Sequence, residues 1–397
     1  MLTLPVYLDN NSTTRVDPRV FDEMKPYFTE VYGNAASKTH EFGWKAGNAV
    51  EFARERIASL IGAEHKEIIF TSGATESINL AIKGAAEMYG SKRDHIITTT
   101  VEHKAVLDTC KSLEKKGFNV TYLKVDKFGL IDMDELKDSI NENTLLVSVI
   151  HANNEIGTIN PVNEIGKICK SKNVLFHVDA SQSAGKIPID INNDNIDLMS
   201  FPAHKVYGPK GVGALYVRSR NPRVILNPQI DGGGHERGFR SGTLNVPGIV
   251  GFGKACEIAK SEMNVESIKV LGLRNKLFSG ITSKLDGVYL NGHPEKRLAN
   301  NLNLSFAFAN SESLMASMKE IAVSSGSACS SASIEPSHVL KAIGVSDERI
   351  HYSIRFGLGR FTTEEEINFT IGKVVEKVIY LREISPMYKL LKNQEVR

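Results

Sequence analysis

The sequence predicts an α/β protein: a large unit built on a mostly parallel sheet with helices on both faces, and a smaller α+β unit. Three observations carry this. From about residue 50 to 220, short apolar runs alternate with stretches of helical period, such as 75–89 and 104–116; apolar strands that alternate with helices belong to a parallel sheet covered on both sides. The runs at 67–71, 95–99, 119–123, 145–150, 174–178, 196–201 and 213–217 supply a seven-stranded sheet. A long helical region, 246–285, then leads into a different texture, with strands at 288–290, 301–306, 320–323 and 353–356 and helices at 311–318, 337–342 and 363–381. The expected division is a large unit over 15–257 and a small one made of 1–14 and 258–397, the N-terminal segment packing on the small unit or on the cleft. The last dozen residues are polar and are expected to fray.

Composition excludes several classes. The 397 residues are 41% hydrophobic and 24% charged, with a net charge of +2, so charge alone draws the protein to neither nucleic acid nor membrane. No apolar run approaches the ~20 residues of a membrane span. The N-terminus lacks a basic segment followed by an apolar one, so no export signal is expected. The four cysteines are far apart and form no CxxC pair, which argues against a disulfide scaffold or zinc knuckle and suits a cytoplasmic, reducing setting.

The strongest chemical signal is Val-Asp179-Ala-Ser-Gln182, followed by Phe-Pro202-Ala203-His204-Lys205-Val-Tyr-Gly-Pro-Lys-Gly. Each segment closes an apolar strand, one with a carboxylate and the other with a lysine. A pyridoxal phosphate enzyme needs this pair: the lysine holds the aldehyde as a Schiff base, and the acid keeps the pyridinium nitrogen protonated. Sheets of this type place their site beyond the carboxyl ends of the strands, where both residues lie. Thr71-Ser-Gly-Ala74-Thr75-Glu-Ser follows a strand and opens a helix. It reads either as a phosphate-binding helix N-terminus or as a plain turn capped by Thr75. His103, after the next strand, could stack on a cofactor ring or be an ordinary histidine, and Asn153-Asn154 could bind a phenolic oxygen or carboxylate or form a common turn.

The second strong feature is Ser324-Ser-Gly-Ser-Ala-Cys329-Ser-Ser-Ala-Ser333. A cysteine among small residues reads as an exposed thiol on a mobile loop, whereas Cys110, Cys169 and Cys256 read as packing residues. Ser353-Ile-Arg355 ends a small-unit strand with a guanidinium, suited to a substrate carboxylate or to a surface ion pair.

Together these segments resemble the cysteine desulfurases of the IscS/NifS class, within the fold-type I pyridoxal phosphate enzymes. The resemblance runs from Tyr7-Leu-Asp-Asn-Asn-Ser-Thr-Thr14 to Phe361-Thr-Thr-Glu-Glu-Glu-Ile367 and includes Glu-His-Lys-Ala-Val, Asn-Asn-Glu-Ile-Gly and Gly-Gly-Gly-His-Glu-Arg-Gly. It implies pyridoxal 5'-phosphate as cofactor, L-cysteine as substrate, L-alanine as product and a persulfide on the loop cysteine. By resemblance Lys205 carries the cofactor, Asp179 pairs with its ring nitrogen, Gln182 reaches its phenolic oxygen and His103 stacks on the ring. Ala74, Thr75 and His204 hold the phosphate, with Thr243 arriving from the second subunit of a homodimer; Asn154 and Arg355 bind the substrate carboxylate, and Cys329 attacks the substrate sulfur. No resident metal is implied, although Cys329 is a candidate transient ligand to a cluster on a scaffold. The implied acceptors are an iron–sulfur scaffold protein of the IscU type and other sulfur acceptors, with tRNA thiolation a further outlet.

Three departures stand out. Pro202 replaces a serine whose hydroxyl would bind the phosphate, so weaker or reorganised phosphate binding is expected. Ser12 and Ala35 replace an alanine and a proline, with little expected of either. The chain also ends at Arg397, without the longer tail that helps some relatives dock a scaffold. Another fold-type I activity, such as selenocysteine lyase or aminotransferase, and a silent sulfur-relay protein are the competing readings. An aminotransferase would not need Cys329, and a silent relay would not need Lys205 and Asp179.

Overall fold

The computed structural model describes residues 2–325 and 336–395. Cys329 lies outside the described residues. The chain opens with a short strand, β1 (Val6–Tyr7). The strands of the large sheet follow: β2 (Ile68–Thr71), β3 (His95–Thr99), β4 (Asn119–Leu123), β5 (Thr144–Ile150), β6 (Leu175–Asp179), β7 (Leu198–Pro202) and β8 (Gly213–Val217). Their order in space is β2-β8-β7-β6-β5-β3-β4. Neighbours run parallel except where β8 pairs antiparallel with β2 and β7. This is the expected seven-stranded sheet, with boundaries moved by one or two residues.

Every residue of β2, β3, β5, β7 and β8 is buried, which is why those strands read as continuous apolar runs rather than as alternation. The polar residues among them have partners. Thr98 donates to the carbonyl of Ser148 at 2.9 Å, and His177 bridges Ser148 and Ser200 at 2.8 and 2.9 Å.

One face of the sheet is covered by helices Ala74–Tyr89 and Lys104–Glu114. The other is covered by helix Glu41–Ile61 and the first half of helix Val246–Thr282. Glu41–Ile61 was not anticipated. It begins at His40, whose side chain accepts from Gly43 N, and stops at Gly62, which takes the left-handed conformation (φ 72°) of a helix C-cap. It packs closely on the long helix: a Cβ on Gly253 would come within 2.6 Å of Ala53 Cα.

The remaining strands are β9 (Val288–Leu290), β10 (Asn301–Phe306), β11 (Ile321–Ala322), β12 (Ser324–Ser325) and β13 (Ser353–Gly357). They form a four-stranded sheet of order β12-β13-β10-β9 and a separate β1–β11 pair. A distinct hydrophobic cluster lies here, joining Val6 and Leu8 to Leu304, Phe306, Phe356 and Val374. The long helix serves both regions, with Phe252 and Cys256 in the large cluster and Leu277 and Ile281 in the small one. Residues near the C-terminus, expected to fray, instead form the helix Pro386–Glu395; its proline sits at the first helical position, where a missing N–H costs nothing. Among the described residues no helix is long and apolar enough to cross a membrane.

Candidate active site

The carboxyl ends of β5, β6 and β7 open onto a cavity of about 580 Å³, roofed by residues 11–13 of the N-terminal segment. Ile150, Asp179 and Pro202 are the last residues of those three strands, and all three line it. Lys205 follows β7 by one turn of 3₁₀ helix, Ala203–Lys205. Its ammonium donates to the main-chain oxygens of Asn11 and, at 2.6 Å, of Ser12. Asp179 is 1% exposed, and its Oδ1 accepts from Ser181 N at 2.9 Å and Ser181 Oγ at 2.5 Å. No hydrogen bond reaches Asp179 Oδ2 from the described residues, so this buried carboxylate keeps one oxygen for a ligand.

Helix Ala74–Tyr89 starts directly at the cavity. Its N-cap is Gly73, not Thr75, and no side chain caps it. The leading N–H groups, which have no intrahelical partner, therefore sit at the cavity wall with the positive end of the helix dipole. Close approach of backbone makes the cradle: a Cβ on Gly213 would fall within 2.7 Å of Gly73 Cα. His204 stands on the same side, with Nδ1 3.0 Å from Thr13 Oγ1. Burial, aided by Lys205, Lys210 and Lys186, lowers its pKa to about 4, so the imidazole is neutral at physiological pH.

His103 is the N-cap of helix Lys104–Glu114, and its Nδ1 accepts from Ala105 N at 3.1 Å. Burial lowers its pKa, Asp179 opposes the shift and Lys205 adds to it. A neutral ring with Nδ1 accepting carries its proton on Nε2. Gln182, 2% exposed, is fixed by a reciprocal pair with Asn11: its Nε2 donates to Asn11 O at 2.8 Å, and its Oε1 accepts from Asn11 Nδ2 at 3.1 Å.

The structure thus gathers Ala74, Thr75, His103, Asn154, Asp179, Gln182, His204 and Lys205 around one cavity. Arg355 does not line the cavity; it lies in the middle of β13 rather than at the strand end and bonds to two residues that do, Asn154 and Ser12. It donates through Nη1 to the carbonyl of Asn154 at 2.9 Å and through Nη2 to Asp9 Oδ1 at 2.9 Å and Ser12 Oγ at 2.6 Å. Ser12, from which little was expected, is therefore part of the site. Thr243 is exposed and lies outside the cavity. Its glycine-rich segment is tied back by Glu236, whose carboxylate takes both Arg54 Nη atoms at 2.8 Å and Phe70 N at 2.7 Å. The other three cysteines are buried free thiols, as packing residues should be. Burial pushes Cys110 up to about 12, which makes it a poor nucleophile.

Residues 11–13 and Ser181 were missed. The available signal was the density of short polar side chains in Asp9-Asn-Asn-Ser-Thr-Thr14, too polar for a core strand and too ordered in type for a linker.

The arrangement fits a phosphorylated aromatic aldehyde. A lysine, a buried acid with an open oxygen, a neutral imidazole and an uncapped helix N-terminus converge on a cavity of the right size. Comparisons with known proteins agree. The family model for class-V aminotransferases matches residues 6–369. The chain is 58% identical over 391 residues to cysteine desulfurase IscS of Anaeromyxobacter sp. strain Fw109-5, covering 98% of this chain and 96% of that one. It is 55% identical over 390 residues to cysteine desulfurase IscS of Rickettsia prowazekii strain Madrid E, covering 98% and 95%. Among solved structures it resembles a NifS-like protein, with a TM-score of 0.88, 43% identity and 94% and 99% of the two chains covered. It also resembles SspA in complex with cysteine, with a TM-score of 0.80, 39% identity and 90% and 100% covered.

Proposed function

The chain belongs to the class-V aminotransferase family, and from there we propose which residues perform the chemistry of a pyridoxal phosphate-dependent cysteine desulfurase. The reaction turns L-cysteine into L-alanine and moves its sulfur to an enzyme cysteine, from which it passes to iron–sulfur cluster assembly. The observation that carries the assignment is the convergence of Lys205 and Asp179 from adjacent strands on one cavity.

Pyridoxal phosphate, when bound, supplies an electron-withdrawing ring that makes the substrate Cα–H acidic and the Cβ–S bond breakable. Lys205 would hold its aldehyde covalently, and Asp179 would keep a proton on its ring nitrogen through the open Oδ2. The N–H groups at Ala74 and Thr75, with His204, would hold its phosphate; Gln182, locked by Asn11, would donate to its phenolic oxygen. His103 would lie against the ring and, with its proton on Nε2, serve as a proton carrier. Asn154 and Arg355 would bind the substrate carboxylate. Cys329, as thiolate, would attack the substrate sulfur: an S–S bond forms, the Cβ–S bond breaks, and the carbon skeleton takes up a proton and leaves as L-alanine.

A large unit, 15–257, would carry the cofactor, and a small unit, 1–14 with 258–397, would carry the cysteine. Two separate hydrophobic clusters support that division. We place Thr243 in the site of a second subunit. A homodimer is supported by the aromatic side chains exposed on the first helices, among them Phe28 at 57% and Phe52 at 64%, since such surface is normally covered. An iron–sulfur scaffold protein would be the sulfur acceptor, and the free buried thiols suit a cytoplasmic location.

The deciding experiment incubates the holoenzyme with L-cysteine and analyses alanine and the thiol of Cys329 together. The reading expects one alanine for each persulfide, and a Cys329→Ser variant that binds L-cysteine but releases no sulfide with a reductant. Normal turnover in that variant would refute the assignment.

A further inference from the structure

We propose that Asp9 and Ser12 are positioning residues for Arg355, holding its guanidinium ready for the substrate carboxylate before substrate arrives. The inference rests on the carboxylate role given to Arg355 above. Arg355 is 1% exposed, and its Nη2 meets Asp9 Oδ1 at 2.9 Å and Ser12 Oγ at 2.6 Å. Ser12 Oγ lies 2.9 Å from the same Asp9 oxygen. A serine hydroxyl has one proton, and the carboxylate takes it. The Ser12 oxygen is then left to accept from Arg355, and the three side chains close a ring. Ser324 Oγ adds a further donor to Asp9 Oδ1 at 2.8 Å. On the other nitrogen, the Asn154 carbonyl fixes Nη1 at 2.9 Å. Bonds on both nitrogens set the plane of a guanidinium, which a single contact would leave free to rotate.

The holders are themselves held. Asn10 N and Nδ2 both donate to Gly357 O, at 3.0 and 2.9 Å, and Leu8 N donates to Ala322 O at 2.9 Å. A Cβ on Gly357 would come within 2.6 Å of Asn11 Oδ1, so β13 can approach residues 10 and 11 only through glycine. Asp9 also offsets the charge of a buried arginine, which would otherwise be costly to keep in place. A side chain ordered in advance loses little further freedom when its ligand binds.

The test compares two amines that differ only in the carboxylate, L-alanine and ethylamine, binding to the holoenzyme and followed by its visible absorbance. It is joined to the KM and kcat for L-cysteine. Asp9→Asn keeps the shape and removes the charge. It should weaken L-alanine and raise the KM about tenfold, with kcat within about twofold and ethylamine unchanged. Ser12→Ala deletes one hydroxyl, does not threaten the fold, and should give the same signature at about threefold. Equal weakening of both amines in either variant, no change in both variants, or tighter L-alanine binding would overturn the proposal. Arg355→Lys separates the two readings. If it leaves the preference for L-alanine over ethylamine intact, the carboxylate role of Arg355 fails; if it abolishes that preference and Asp9→Asn and Ser12→Ala do not reduce it, only the positioning role fails.

Discussion

The two sides of the cleft are furnished differently. On the cofactor side the groups stand open: Asp179 Oδ2 has no partner among the described residues, and helix Ala74–Tyr89 begins with no side-chain cap. On the side proposed to bind the substrate carboxylate, the groups are already answered by protein, with Arg355 held by Asn154, Asp9 and Ser12. The difference follows from what each side meets. A cofactor bound covalently and kept through many turnovers can complete an unfinished network once. A substrate that comes and goes needs a partner that does not have to be ordered anew at each visit.

Removing groups from the open side should therefore cost most. Lys205→Ala should abolish the yellow absorbance of the holoenzyme and lower alanine formation on the order of 10³-fold or more; a variant that kept the absorbance unchanged would break the assignment. Asp179→Asn leaves the shape but removes the charge proposed to face the ring nitrogen. About 3 kcal/mol for a buried charged pair corresponds to roughly a hundredfold loss in kcat/KM, and kinetics on the cofactor-saturated variant measure it.

Pro202 tests the same side in the opposite direction. It lines the cavity at the end of β7 and offers neither hydroxyl nor N–H. A serine there would add a bond to a charged phosphate, so Pro202→Ser should tighten cofactor binding about ten- to a hundredfold. Dissociation constants of both forms decide it, equal or weaker binding in the serine variant ending the argument.

The smallest effect belongs to Glu102, beside His103. Its carboxyl is fully buried and pushed up to about 8, chiefly by burial, while Thr99 and Ile150 N donate to Oε1. In the unfolded chain it ionises near pH 4.3, so between that value and about 8 the folded state holds the extra proton. Stability from this group is then present at low pH and lost as pH rises through that window. Glu102→Gln cannot ionise and should gain much more relative to the parent at pH 9 than at pH 5. Melting temperatures at both pH values check it, with roughly 1 °C expected per kcal/mol recovered in a chain of this length.

The open side was largely legible in the sequence, and the answered side was not. Asp179 and Lys205 announce themselves because strand ends are local: an apolar run stops and a charged residue follows. The partners of Arg355 have no such signature. Asp9 and Ser12 lie more than 340 residues before it, and no periodicity in either segment points to the other. The contact of Ser12 with Arg355 was not foreseen for that reason. Helix Glu41–Ile61 was legible in principle from the spacing of Ala46, Ala49, Val50, Ala53, Ile57 and Ile61, but its alanine-rich face gives a weak apolar contrast.

The pairing of β1 with β11, Val6 to Ile321 and Tyr7 to Ala322, bears on how the protein is made. The first strand to leave the ribosome waits for one of the last, and Asp9 waits longer still for Arg355. The large sheet can form from residues 68–217 while translation continues. Residues 11–14 can already meet Gln182, His204 and Lys205, but the pairing of Val6 and Tyr7 and the bonds to Gly357 and Arg355 wait until residues 321–357 have emerged. A nascent chain can thus own a folded sheet and still lack the bonds that hold Asp9 and Arg355 together.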